Sequence, residues 1–133
     1  MAMIEESVLT APHRTAPLEL ELDEPAASTA AACLFRGMAD PSRVAILRHL
    51  LLGEHNVVQL TEHLGLAQST VSKHLACLRD CGLVASRPVG RSSVFSLTFP
   101  EHVLKVFAAA EALLAATGDA VVLCPTYGDR GQG

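Results

Sequence analysis

The stretch that decides the fold is Gln68-Ser-Thr-Val-Ser-Lys-His-Leu-Ala-Cys-Leu-Arg-Asp-Cys81. Val71, Leu75 and Leu78 recur at i, i+4 and i+7, the repeat of a helix with one apolar stripe. Gln68, Ser69, Thr70, Ser72 and Lys73 fall on the other side, so one face is polar from its first turn. Gly82 ends the segment where a left-handed residue would close it.

Working outward, Val57 to Leu64 reads as a short helix closed by Gly65, so a tight turn joins it to the helix at Gln68. Upstream, Asp40-Pro41-Ser42 is a helix start: Asp40 can cap and Pro41 suits the first turn. That helix runs through Val44, Ile46, Leu47, Leu50 and Leu51 and stops at Gly53. Before it, Ala26 to Met38 is an alanine-rich helix with Leu34, Phe35 and Met38 on one stripe. Downstream, Leu83 to Ser86 and Ser93 to Leu97 read as strands, with Pro88-Val89-Gly90-Arg91 as the turn. His102 to Ala116, opened by Pro100, is a last apolar helix ending at Gly118. The order is α–α–α–α–β–β–α, mainly α with a small β-hairpin. A helix, a tight turn, a second helix and then a hairpin make a winged helix-turn-helix.

The expected division is an acidic tail over residues 1–25, a folded domain over 26–117, and a C-terminal tail over 118–133. The 133 residues carry a formal charge of −4, which looks adverse for a nucleic-acid binder until it is divided along the chain. Residues 1–28 hold one basic side chain against six acidic ones, a local charge of −5. Residues 67–99 hold Lys73, Arg79, Arg87 and Arg91 against Asp80 alone, a local charge of +3. No run of about 18 apolar residues is present and Glu5 and Glu6 sit where a secretory signal would be basic, so a cytosolic protein without a membrane span is expected.

In a winged helix-turn-helix the second helix of the pair enters the major groove. The residues expected to meet DNA are therefore Gln68, Ser69, Thr70, Ser72, Lys73 and His74, with Arg87 and Arg91 from the hairpin. Glutamine can bond adenine in pairs, serine and threonine serve bases or phosphates, and lysine and arginine attract the backbone. With one Tyr, four Phe and no Trp, the chain lacks the stacking platforms of single-strand binders, so duplex DNA is the expected partner. The apolar first and last helices point to a homodimer that spaces two reading helices one DNA turn apart.

These residues resemble the ArsR/SmtB family of metal-responsive repressors. The matching stretches are Met38 to Leu47, Ser69 to Leu78, Gly82-Leu-Val84 and Gly90-Arg-Ser-Ser-Val-Phe95. The resemblance covers about residues 30–116 and implies a dimeric winged-helix repressor that binds operator DNA. A Cys-Val-Cys site is absent, since that region reads Asn56-Val-Val-Gln-Leu60. On the last helix His102 and Glu111 are present without the remaining ligands of a His- and carboxylate-rich site. Cys77-Leu-Arg-Asp-Cys81 with a late Cys124 is most similar to the CmtR-type cadmium and lead sensors. By that resemblance the ligands are Cys77, Cys81 and Cys124, the last from the other subunit's tail.

The spacing carries weight beside the resemblance. Cysteines four apart on a helix share a face about 5–6 Å apart, so both thiolates can reach one ion. Three thiolates suit Cd(II) or Pb(II), with As(III) or Zn(II) as further candidates, and His74, one turn before Cys77, is a possible fourth ligand for zinc. A repressor released by metal is thus expected, with As(III) sensing or thiol oxidation as the alternative effector. Cys33 reads equally as packing or as an accessory ligand. Structural disulfides are disfavoured in a reducing cytosol. No nucleophile with an oriented base, Cys-x-x-Cys or phosphate loop is present, so an enzyme is not expected.

Overall fold

The computed structural model describes residues 24–125. The expected acidic tail over residues 1–25 lies outside them apart from Glu24 and Pro25, as do residues 126–133 of the C-terminal tail. The chain divides into two units, residues 1–35 and 36–133. The first contributes most of helix α1 (Glu24–Gly37), in which residues 24–32 are exposed and Cys33 and Leu34 are half-buried.

The second unit holds the remaining elements: α2 (Pro41–Leu51), β1 (His55–Asn56), α3 (Val57–Leu64), α4 (Gln68–Asp80), β2 (Val84–Val89), β3 (Ser92–Leu97) and α5 (Pro100–Ala116). Local chemistry sets several of these boundaries. The Asp40 carboxylate accepts from Ser42 N–H at 2.7 Å and Arg43 N–H at 3.4 Å, with Pro41 in the first turn. Helix α3 carries a reciprocal cap: Asn56 Oδ1 accepts from Gln59 N–H and Gln59 Oε1 from Asn56 N–H, each at 2.8 Å.

Helix α4 ends one residue earlier than its periodicity suggests. Cys81 is its C-cap, and Gly82 at φ 80° lets its N–H reach Arg79 O at 2.9 Å while Leu83 N–H reaches Leu78 O at 2.9 Å. The chain then turns directly into the hairpin.

The strands differ most from the sequence reading. They run to Val89 and resume at Ser92, leaving Gly90-Arg91 as a two-residue turn, so Pro88 and Val89 belong to β2 rather than to the loop. Pro88 is tolerated because β2 is an edge strand. A third strand, β1, pairs antiparallel with β3 (His55 with Phe95, Asn56 with Val94), giving the order β1-β3-β2. Two residues are too few for any period to appear, and their partners lie about 39 positions away.

Ile46, Leu47 and Leu50 of α2, Leu60 of α3, and Val71, Leu75 and Leu78 of α4 form the buried centre. Val84, Phe95 and Leu97 of the sheet and Val103 and Phe107 of α5 complete it. Each such side chain contributes about 1.5–3 kcal/mol by leaving water. The burial fixes which way α4 faces: its stripe is fully covered, so the polar front must point out.

Candidate nucleic-acid interface and thiol residues

Gln68, Ser69, Ser72 and Lys73 are exposed on α4 and Thr70 is half-buried. The N-cap of α4 is Ala67, which offers no side-chain acceptor, so the helix start carries N–H groups suited to a phosphate. Gln68 and the hairpin-tip residue Arg91 line one shallow groove of about 320 Å³ with Asn56, Val57, Ser92 and Ser93. The front of the reading helix and the tip of the wing therefore border a common surface.

Arg87 and His74 are placed differently from the other expected DNA contacts. The Arg87 guanidinium donates to both oxygens of Glu54, at 2.9 and 3.1 Å, so its charge is offset on the wing. His74 turns inward with a side chain only 16 % exposed, where Nδ1 lies 3.3 Å from Arg43 Nη1 and Nε2 lies 3.8 Å from Asp40. It ties α4 to the start of α2. Arg43 also donates from Nε to Gly37 O at 2.7 Å and from Nη2 to Arg36 O at 3.0 Å, placing a cation at the C-terminal end of α1. The Ser42 and Arg43 N–H groups, with the His74 ring and the Arg43 charge behind them, hold the Asp40 carboxyl below the usual carboxylate value. Nothing in local sequence flags Glu54 or Arg43, since each partner lies on another element.

None of the four cysteines is in a disulfide, and all are half-buried. Cys77 and Cys81 lie at the rear of α4, joined by the backbone bond from Cys81 N–H to Cys77 O at 3.1 Å. The Cys81 sulfur presses on Gly37: a Cβ at that glycine would lie 2.9 Å from Sγ. Only a glycine permits this approach.

Cys124 sits at the far end of the described tail, against α5. The Glu111 carboxylate accepts the N–H groups of Leu123 and of Cys124, the latter at 2.7 Å, and Arg48 Nε donates to Leu123 O at 2.9 Å. The Cys124 thiol points toward Leu104 O at 3.9 Å. Burial, and then the hydrogen bond and charge of Glu111, push this thiol up, with Arg48 opposing. The two N–H groups lower the Glu111 pKa in turn. Within one chain Cys77, Cys81 and Cys124 do not converge. Among the described residues, the group of three or more metal-ligating side chains with donor atoms within 4.8 Å is instead His49, His55 and His63.

Comparison with known proteins places this arrangement. Residues 40–86, from the Asp40 cap through α4 to β2, match the model of the arsR family of bacterial regulatory proteins. A probable mercury resistance operon repressor of Streptomyces lividans is 36 % identical over 101 residues, 76 % of this chain and 80 % of that protein. The regulator CmtR of Mycobacterium tuberculosis is 49 % identical over 69 residues, 52 % of this chain and 58 % of its own length. Among solved structures, NolR from Sinorhizobium fredii superposes with a TM-score of 0.63 at 30 % identity, covering 75 % of this chain and 95 % of that one. Among the described residues no helix is long and apolar enough to cross a membrane. The chain belongs to the arsR family, winged-helix DNA-binding transcription regulators rather than enzymes.

Proposed function

We propose that this protein is a homodimeric repressor that holds operator duplex DNA and releases it when a soft, thiophilic ion, Cd(II) or Pb(II), binds Cys77 and Cys81 of one protomer and Cys124 of the other. One observation carries the reading. The cysteine pair lies at the rear of the helix whose exposed front carries Gln68, Ser69, Ser72 and Lys73, and its second sulfur is packed on Gly37. The relatives named for mercury resistance and CmtR support a metal effector.

The donor set fits such an ion: three sulfur ligands favour soft metals, and two of them already lie one helical turn apart. The ion supplies strong metal–thiolate bonds, and the chain supplies the coupling. Recruiting Cys81 draws its sulfur off Gly37 and disturbs the joint between the end of α1 and the rear of α4. Recruiting Cys124 strips its N–H from Glu111 and loosens the tail held by Arg48. Because one chain does not gather all three sulfurs, a tail donated across a dimer is the economical arrangement. Leu104 and Leu113, 41 % and 66 % exposed on α5, offer apolar surface for pairing. The ion must bind the DNA-free arrangement more tightly. A coupling of about 1–3 kcal/mol per site then lowers operator affinity about 5- to 150-fold.

The test is operator binding by wild type and Cys124→Ser with Cd(II), Pb(II), Zn(II) and As(III) added in turn. Cd(II) or Pb(II) should release wild type, and Cys124→Ser should stay bound. Equal affinity with and without cadmium would remove the mechanism. Loss of binding on peroxide treatment, with no response to metal, would assign the cysteines to thiol oxidation.

A further inference from the structure

We propose a second metal site, separate from the cysteines, in which His49 of α2, His55 of β1 and His63 of α3 hold one Zn(II)-class ion. One donor atom from each side chain lies within 4.8 Å of the other two. The Nδ1 atoms of His49 and His63 are 3.4 Å apart. Zn–N bonds of about 2.0–2.1 Å at tetrahedral angles place two ligand nitrogens about 3.3–3.4 Å apart, so this pair already spans one edge of such a site. His63 is exposed and His55 half-buried, leaving room for the small ring rotations that would bring the third nitrogen in.

The protonation pattern favours a ligand role. His55 Nδ1 lies 2.8 Å from Gly53 O, and a carbonyl only accepts, so Nδ1 carries the proton. The lone pair of neutral His55 is then on Nε2, and a backbone carbonyl fixing the far nitrogen is the usual support of a metal-bound imidazole. Ring centroids lie 4.9, 5.4 and 6.1 Å apart with planes inclined by 52°, 76° and 66°, so the three imidazoles meet tilted and edge-on rather than in a stack.

Three imidazoles select a borderline ion such as Zn(II), Co(II) or Ni(II) over the soft ions favoured by thiolates. His55 pairs in register with Phe95 of β3, so an ion here would join the base of the wing to α2 and to the first helix of the helix-turn-helix. Its expected effect is to stiffen the DNA-reading unit.

The experiment uses the full chain carrying Cys77→Ser, Cys81→Ser and Cys124→Ser, so that it reads this site whatever becomes of the thiolate reading. Co(II) should bind at one equivalent with ligand-field absorption and no sulfur charge-transfer band, and Zn(II) should displace it and raise Tm. Adding His63→Gln or His55→Gln should lower Zn(II) affinity at least tenfold and abolish the Tm rise, while His102→Gln, an exposed site on α5, should change neither. Both variants are read beside an unchanged far-ultraviolet circular dichroism spectrum. Absence of saturable binding, or wild-type affinity in His63→Gln and His55→Gln, overturns the site and leaves a hydrogen-bonded histidine cluster.

Discussion

Replacing Gly37 by alanine puts a methyl carbon 2.9 Å from Cys81 Sγ, 3.6 Å from Cys81 Cβ and 3.8 Å from Leu83 Cδ1. Non-bonded carbon atoms are at their optimum about 3.5–4.0 Å apart and sulfur is larger, so the first contact overlaps by at least roughly 0.6 Å while the others are ordinary. The whole conflict falls on one atom. Alanine gains about 1 kcal/mol of helix propensity over glycine, and overpacking costs about 1–3 kcal/mol, so Gly37→Ala alone should be destabilising by up to about 2 kcal/mol. Cys81→Ala removes the offending sulfur. The double variant should therefore be more stable than the sum of the two single changes by about 1 kcal/mol or more, within the range seen for residues in contact. Urea unfolding of the four proteins measures this coupling from midpoints at constant slope. Additivity within about 0.5 kcal/mol would show that the sulfur is not held against Gly37, and the route from Cys81 to the end of α1 would fall with it. The same substitution should weaken Cd(II) binding if the sulfur is displaced to a rotamer turned from Cys77.

Further outcomes come from the same geometry. Leu78→Ala, at a fully buried position on α4, should cost about 2–5 kcal/mol in urea unfolding. Glu111→Gln should raise the rate of Cys124 alkylation at neutral pH, because the carboxylate charge that keeps the thiol protonated is gone, and should speed amide exchange at Leu123 and Cys124. In the parent protein the Glu111 tether contributes at pH values above the unfolded carboxyl value of 4.5 and is lost as pH falls through the depressed folded value, so the protection of these two amides, relative to their intrinsic exchange rates at each pH, should be lost only in acid. Finally, Arg91→Ala should weaken operator binding about equally across sequences and reduce its salt slope by about one, whereas Glu54→Gln should strengthen binding by releasing Arg87 from an exposed pair worth at most about 1 kcal/mol. An unchanged salt slope for Arg91→Ala would remove the wing tip from the interface.

What the sequence by itself determined is local. Asp40-Pro41 starts α2, Gly65 closes α3, Gly82 closes α4, and the Val71, Leu75 and Leu78 stripe orients the reading helix, because capping and helical period act within about seven residues. The exposed polar front of α4 and the family follow from those same stretches. Only the tertiary structure decided that His74 turns to Asp40 and Arg43, that Glu54 claims Arg87, that Cys81 rests on Gly37 and Cys124 on Glu111, and that β1 joins the sheet. It also gathered His49, His55 and His63 from three elements. Each of these depends on a partner whose position is set by how the buried faces pack, and no spacing along the chain encodes the distance between side chains that meet only once the core has closed.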